Sequence, residues 1–295
     1  MHRHIIGIVI GLSMTNARNC SHLQQNHFKK YSQGNQDGIL KAIFDVVGDT
    51  NRWAVEFGYG SYKKKFVGKE LLKYNSGLNT RLLQEKGWKV VYFDAIIADL
   101  ELGIHQLILS EDNIVSAFRD AGVPIDVDYV SIDVDSIDVW LLRALLKEYR
   151  PRVISVEYNR NFLSWMHLTH ERKWHAWTGR SVYGASAGAI NYIANLHGYT
   201  VVNIMPDAMD MFFIRQDLLD AHCTPHSIMR FEDMTNATGV GKRFHRTCNA
   251  KLDLPRLVDL HLELDGEHDK AQKKAVEQVD IINKLNPKHP MCHMT

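Results

Sequence analysis

The sequence is poor in the features that mark specialised classes of protein. Its 295 residues hold four cysteines, Cys20, Cys223, Cys248 and Cys292, with no pair at the C-x-x-C spacing of a structural zinc site. The 16 histidines do not fall at zinc-ligand spacings either. No charge of one sign dominates: Lys+Arg 35 against Asp+Glu 34 leaves a formal net charge of +1, so nothing argues for nucleic acid as the main partner. There is no internal repeat, no low-complexity tract, and no apolar run long enough to span a membrane. What remains, 45% hydrophobic and 23% charged, is an ordinary globular composition.

The N-terminal stretch MHRHIIGIVIGLSMTNARNCS has a short basic start, an apolar run over 5–12 and small residues near Ala17, the outline of a secretory signal peptide. The alternative is a frayed tail on a cytoplasmic protein, so localisation stays open between the two. Residues 1–25 are therefore set apart as a signal peptide or a disordered N-terminus. Two N-x-S/T sequons, at Asn19 and Asn236, are usable only in a secretory compartment. Spacing does not pair the cysteines; Cys223 with Cys248 is one conceivable disulfide.

From Ser32 the segment SQGNQDGILKAIFDVVG puts Ile39, Leu40, Ile43, Phe44 and Val47 on one helical face, with Gly48 as a stop. Apolar strands then alternate with helices. RWAVEFGYG, WKVVYFDA, a weaker IHQLILS, YVSIDVDSIDVW and RVISVEYN read as strands, separated by RLLQEKG, NIVSAFRDAG and VWLLRALLKEY as helices. That alternation is the mark of a parallel sheet covered on both faces. After SAGAINYIANLHG, the runs GYTVVNI and MDMFFIR are parted only by MPDA and should pair as an antiparallel hairpin. The expectation is an α/β, doubly wound, Rossmann-like sheet, mostly parallel with a terminal antiparallel hairpin, over 26–218. Residues 219–295 read as an appendage, its RFEDMTNATGVGKRFHRTCNAK stretch a loop and 269–285 a terminal amphipathic helix.

In such sheets ligands bind outside the carboxyl ends of the strands. The exits here are Glu56-Phe57-Gly58-Tyr59-Gly60, Asp94, Asp133 to Asp138, and Glu157-Tyr158-Asn159, each with an acid. Glycines admit close backbone approach, and a carboxylate at the next exit can accept both hydroxyls of a ribose. A nucleoside-containing cofactor is the expected ligand. Lys63 stands where a dinucleotide fingerprint wants its third glycine, which disfavours NAD.

The segments YSQGNQDGIL (31–40), VEFGYG (55–60), NTRLLQEKGWKVVYFD (79–94), VDYVSIDVDSIDVWLLRAL (127–145), PRVISVEYN (151–159), YGASAGAINYIANLHGYTVV (183–202) and MFFIRQDL (211–218) together resemble the FkbM-type S-adenosylmethionine-dependent methyltransferases, near a poorly characterised eukaryotic branch. The resemblance spans 31–218 and implies a class I methyltransferase fold, S-adenosylmethionine as cofactor and, often, a hydroxyl oxygen as acceptor. Carried over, it puts Glu56, Gly58 and Gly60 against the cofactor and Asp94 on its ribose; Asp133, at the fourth exit, is a further candidate to face the cofactor. The lysine-rich insert between Gly60 and Asn79 and the tail beyond Leu218 depart from the pattern.

Methyl transfer leaves the protein to align the reactants and remove the acceptor's proton. Asp133 and Asp135 are the candidates for that work, with His170, His167 or His175 in the Trp- and His-rich loop as a general base; His170 heads the catalytic set. Asp133, Glu157 and Asn159 form a candidate oxygen-ligand set for Mg²⁺ or another divalent cation. Against this, Asp135 or Ser136 could simply cap the next helix and Asp138 sit in its first turn. Lys63, Lys64, Lys65 and Lys69 are either a solvated face or a contact for an anionic acceptor. The reading is an S-adenosylmethionine-dependent O-methyltransferase of a small-molecule or sugar-like acceptor, of unassigned oligomeric state. Its alternatives are a methyltransferase-fold binding protein without catalysis and a metal-dependent hydrolase.

Overall fold

The apolar stripe Ile39, Leu40, Ile43, Val46 and Val47 is buried along α1 (Gln36–Val47), which Gly48 ends at φ +67. That helix opens the fold in a computed structural model that describes residues 17–25, 28–59, 77–240 and 246–293. It is followed by β1 (Trp53–Phe57), α2 (Arg81–Glu85), β2 (Lys89–Asp94), β3 (Ile104–Gln106), α3 (Ile114–Asp120), β4 (Tyr129–Ile132), α4 (Asp138–Leu145) and β5 (Val153–Glu157). Then come β6 (Leu168–His170), α5 (Ala187–Leu196), β7 (Tyr199–Ile204), β8 (Asp210–Arg215), α6 (Gln216–His222) and α7 (Phe231–Thr238). The chain closes with α8 (Ala250–Asp253), β9 (Leu257–Asp259), α9 (Leu260–Leu264) and α10 (His268–Leu285).

Seven strands make one sheet in the order β3-β2-β1-β4-β5-β8-β7. All neighbours pair in parallel except β8, which runs antiparallel to both β5 and β7. This is the strand order of the class I methyltransferase fold, and the hairpin read from MPDA is the β7–β8 pair. The order reverses between β1 and β4, so the crevice that binds ligands in doubly wound sheets lies over those two exits.

Period-2 alternation sorts each strand between two cores. Val55 and Phe57 join Val91, Phe118, Trp140 and Ile190 on the face covered by α3, α4 and α5. Ala54 joins Ile39, Tyr92, Phe212 and Leu219 on the face covered by α1 and α6.

Three boundaries differ from expectation. Residues 1–16 of the proposed N-terminal segment lie outside the described residues, but from residue 17 the chain already belongs to the fold: Cys20 and Leu23 are fully buried, and Asn203 donates to Leu23 O at 2.7 Å. The stretch read as a loop contains α7, held by buried Met234 and stopped at Gly239, φ +68. The eight residues of α7, FEDMTNAT, are mostly polar and give little periodicity to read. The residues beyond 218 are not detached, because β9 pairs antiparallel with β6 in the long segment after β5. A third core joins Phe162, Met166 and Leu168 of that segment to Leu257, Ala275, Val279 and Ile282. The disulfides are Cys20–Cys223 and Cys248–Cys292, not Cys223–Cys248. The first ties the N-terminal segment to the end of α6, the second ties the chain beyond α10 back to the start of α8.

Candidate active site

The chain narrows where β1 ends. Gly58 has φ +78, its N–H donates to Phe93 O at 2.8 Å, and a Cβ there would stand 3.1 Å from Asp133 O. Only glycine fits both the conformation and the approach, which brings the exits of β1, β2 and β4 together. Gly60 and the lysines at 63, 64, 65 and 69 lie outside the described residues.

Two predicted cofactor contacts, Glu56 and Asp94, also hold backbone N–H groups of the protein. Glu56 lies on the Ala54 side of β1, buried, and accepts from Asn79 N at 2.7 Å, Thr80 N at 3.0 Å and the Thr80 hydroxyl. It anchors the turn into α2; burial pushes its carboxyl up to about 7 despite those donors. Asp94, at the end of β2, accepts from Ile96 N at 2.7 Å and Ile97 N at 2.9 Å on Oδ1 and from Tyr59 N at 2.9 Å on Oδ2. One acceptor position on Oδ2 is left for a ribose hydroxyl.

The acids of the fourth and fifth exits converge. Carboxylate oxygens of Asp133, Asp135 and Glu157 lie within 4.8 Å of one another. Asp133 follows β4, Glu157 ends β5, and Asp135 is held at φ +55. Left-handed backbone is uncommon outside glycine and clusters at functional sites. Glu157 is buried and its Oε2 has no donor among the described residues. Burial first, and mutual repulsion second, push Asp133 and Glu157 well above the usual carboxylate range; burial raises Asp135 to about 6. Among the described residues none of the three enters an ion pair with a lysine or arginine. Asp138 is not part of the cluster's open face: it accepts from Val134 N at 2.7 Å and Ser136 N at 3.0 Å, closing the loop ahead of α4. An orphaned buried oxygen among three hard donors fits a divalent cation such as Mg²⁺.

Asn159 does not join them. The strand ends at Glu157 and the chain turns; Asn159 Nδ2 donates to Ser181 O at 2.9 Å and Tyr183 O at 2.8 Å, and its Oδ1 accepts from Asn161 N and Nδ2. It fixes the loop that carries the histidines. His170 is likewise structural: it lies in β6, is 3% exposed, and burial lowers its pKa to about 4. His175 touches the loop that carries Asp135, its backbone N–H donating to Ser136 Oγ at 3.1 Å, and its ring centroid lies 5.2 Å from that of His170. Its Nε2 lies 2.9 Å from Glu171 Oε1. Donation from Nε2 to that carboxylate leaves Nδ1 of the neutral ring as a proton acceptor. Sequence reasoning passed over Glu171; an acid four residues ahead of a histidine was the available signal. His167 belongs elsewhere, packed against His261 and Tyr192 with ring centroids 4.2 and 5.5 Å away.

No family model and no curated protein matches the chain. Among solved structures it is similar to the MycE methyltransferase from the mycinamycin biosynthetic pathway in complex with Mg and SAH, at 14% identity and a TM-score of 0.35, over 78% of this chain and 61% of that one. The same enzyme with Mg, SAH and mycinamycin VI gives 15% and 0.37, over 76% and 60%. The chain thus spans about three fifths of the length of those proteins. The fold assignment itself rests on the strand order and the antiparallel β8.

Proposed function

We propose that the chain is an S-adenosylmethionine-dependent methyltransferase acting on a hydroxyl oxygen of a small-molecule or sugar-like acceptor, with a divalent cation held by Asp133, Asp135 and Glu157. The observation that carries this reading is the convergence of three carboxylates, without a cation among the described residues, beside the glycine-pinched exit of β1 at the reversal point of a methyltransferase-type sheet. When bound, the cofactor supplies an electrophilic methyl group and the cation lowers the pKa of an oxygen ligand. The chain's own residues do the rest. Gly58 leaves room for close approach, Asp94 offers its remaining acceptor position, and His175, oriented by Glu171, takes the acceptor's proton at Nδ1. The paired cysteines support the secretory pathway as the compartment, where disulfides persist.

A second reading, a binding protein without catalysis, draws support from Asp94, whose carboxylate is largely committed to backbone donors. Calorimetric titration with S-adenosylmethionine separates the two, followed by incubation with labelled cofactor and a metabolite extract with and without chelator. We expect binding that Gly58→Ala weakens at least about tenfold, and methyl transfer that the chelator abolishes. Absence of both heat and thermal shift would remove the enzyme. Mn²⁺ binding indifferent to Gly58→Ala, with no cofactor binding, would favour a hydrolase.

A further inference from the structure

A cavity of about 660 Å³ opens between residues 164–167, α5 and α7, and shares no residue with the acid cluster. Its size is that of a small-molecule site. Gly188 shapes it: a Cβ there would fall 2.6 Å from Met166 O and closer still to Ser164 O, so α5 meets the preceding segment backbone to backbone. Trp165, 62% exposed, stands on its wall with Tyr192 and Phe231. The lining also holds two buried polar atoms without a partner among the described residues, His167 Nδ1 and Asn191 Oδ1. Aromatic faces beside an unsatisfied amide oxygen and imidazole nitrogen suit a pyranose, which offers C–H faces to rings and hydroxyls to polar atoms. At the rim stands Asn236, exposed on α7, first residue of Asn236-Ala237-Thr238.

We propose that Asn236 carries an N-linked glycan whose first sugars lie in this cavity, against Trp165 and Tyr192 and over His167 and Asn191. The donor class is a polyprenyl-diphosphate-linked oligosaccharide, brought by the host's transferase. Asn236 Nδ2 bonds to C1 of the reducing-end sugar, the C1–O bond to the diphosphate breaks, the polyprenyl diphosphate leaves with the electron pair, and Nδ2 gives up one proton. Both disulfides are of a kind that persists in the compartments where this transfer occurs. The other sequon is the internal comparison: Asn19 is exposed, its Oδ1 turned back to accept from Ser21 N at 2.9 Å.

The full chain, with its own N-terminus, is expressed in a eukaryotic host, and peptide mass spectrometry reads the occupancy of Asn236. Release of the glycan from the native protein by an amidase is then timed for the parent and for Trp165→Ala, whose fold is checked by its melting temperature. Occupied Asn236, with release about fivefold faster in Trp165→Ala, is the expected result, since aromatic packing contributes about 1 kcal/mol. Unmodified Asn236 in protein whose disulfides have formed overturns the proposal, as does a chain that stays reduced and unmodified in the cytoplasm. Equal release rates in parent and variant overturn the seating. Binding of free chitobiose by a parent protein unmodified at Asn236 would assign the cavity to an external sugar instead.

Discussion

At the scale of single residues the acid cluster works against the stability of the protein that carries it. Three buried or half-buried carboxyls face one another without a cation from the described residues, a local conflict that natural sequences tolerate at functional sites. Glu157→Gln therefore should raise the melting temperature of the metal-free protein by about 2–4 °C while cutting metal-dependent transfer at least about a hundredfold. Differential scanning calorimetry and a transfer assay read the two sides; a destabilised variant would mean that Glu157 is structural. His175→Ala should lower transfer by about 10²–10⁴ with the melting temperature little changed, whereas His170→Ala should destabilise, because His170 is buried in β6. Part of this was legible in the sequence. Asp133, Asp135 and Glu157 stand where apolar strands end, and chain direction alone puts strand ends at the ligand crevice. Asn159 and the choice of histidine were not legible. Both depend on where the chain turns after β5 and on which backbone donor, here that of His175, meets Ser136.

Among elements, the pairing of β6 with β9 decides what the C-terminal region is for. That region shares a core with the segment bearing His170, Glu171 and His175, so it props the wall of the site from outside the sheet. Serine at both Cys248 and Cys292 removes a crosslink across a separation of 44 residues and should cost about 2–4 kcal/mol. Denaturant melts are expected to show the loss, with transfer activity falling at lower denaturant than the far-UV helix signal; coincident loss would mean that wall and sheet unfold together. The helix α10 was readable from Ala275, Val279 and Ile282 on one stripe, and the structure begins it one residue earlier than expected. The strand β9 was not readable: three residues carry no period, and its partner lies far back in the chain. The same holds for β6.

Taken whole, the molecule buries acids in excess on the sheet's exit side. Glu56 and Asp138 are pushed up to about 7 and Asp210 to about 6, in each case chiefly by burial. Each thus keeps its proton in the folded chain at pH values where the unfolded chain has lost it. That stability is present in full below the unfolded carboxylate pKa and is lost as pH rises through 6 to 7. His170 acts in the opposite sense and lower down: its contribution is complete above the unfolded histidine pKa and lost as pH falls toward 4. The ligand-free protein should therefore melt several degrees lower at about pH 8 than at about pH 5.5, and Glu56→Gln should flatten that profile. A profile that rises over this window would show that these carboxyls are ionised throughout. The fold class was legible at this scale because alternating strands and helices leave few topologies open. The β6–β9 pair has a further consequence for how the protein is made. A nascent chain that has emerged as far as Arg215 has released every strand of the main sheet, yet the partner of β6 is still inside the ribosome or its exit tunnel. The sheet and its crevice can form before β9 emerges, but the histidine-bearing wall waits for β9, so that wall is completed after the sheet.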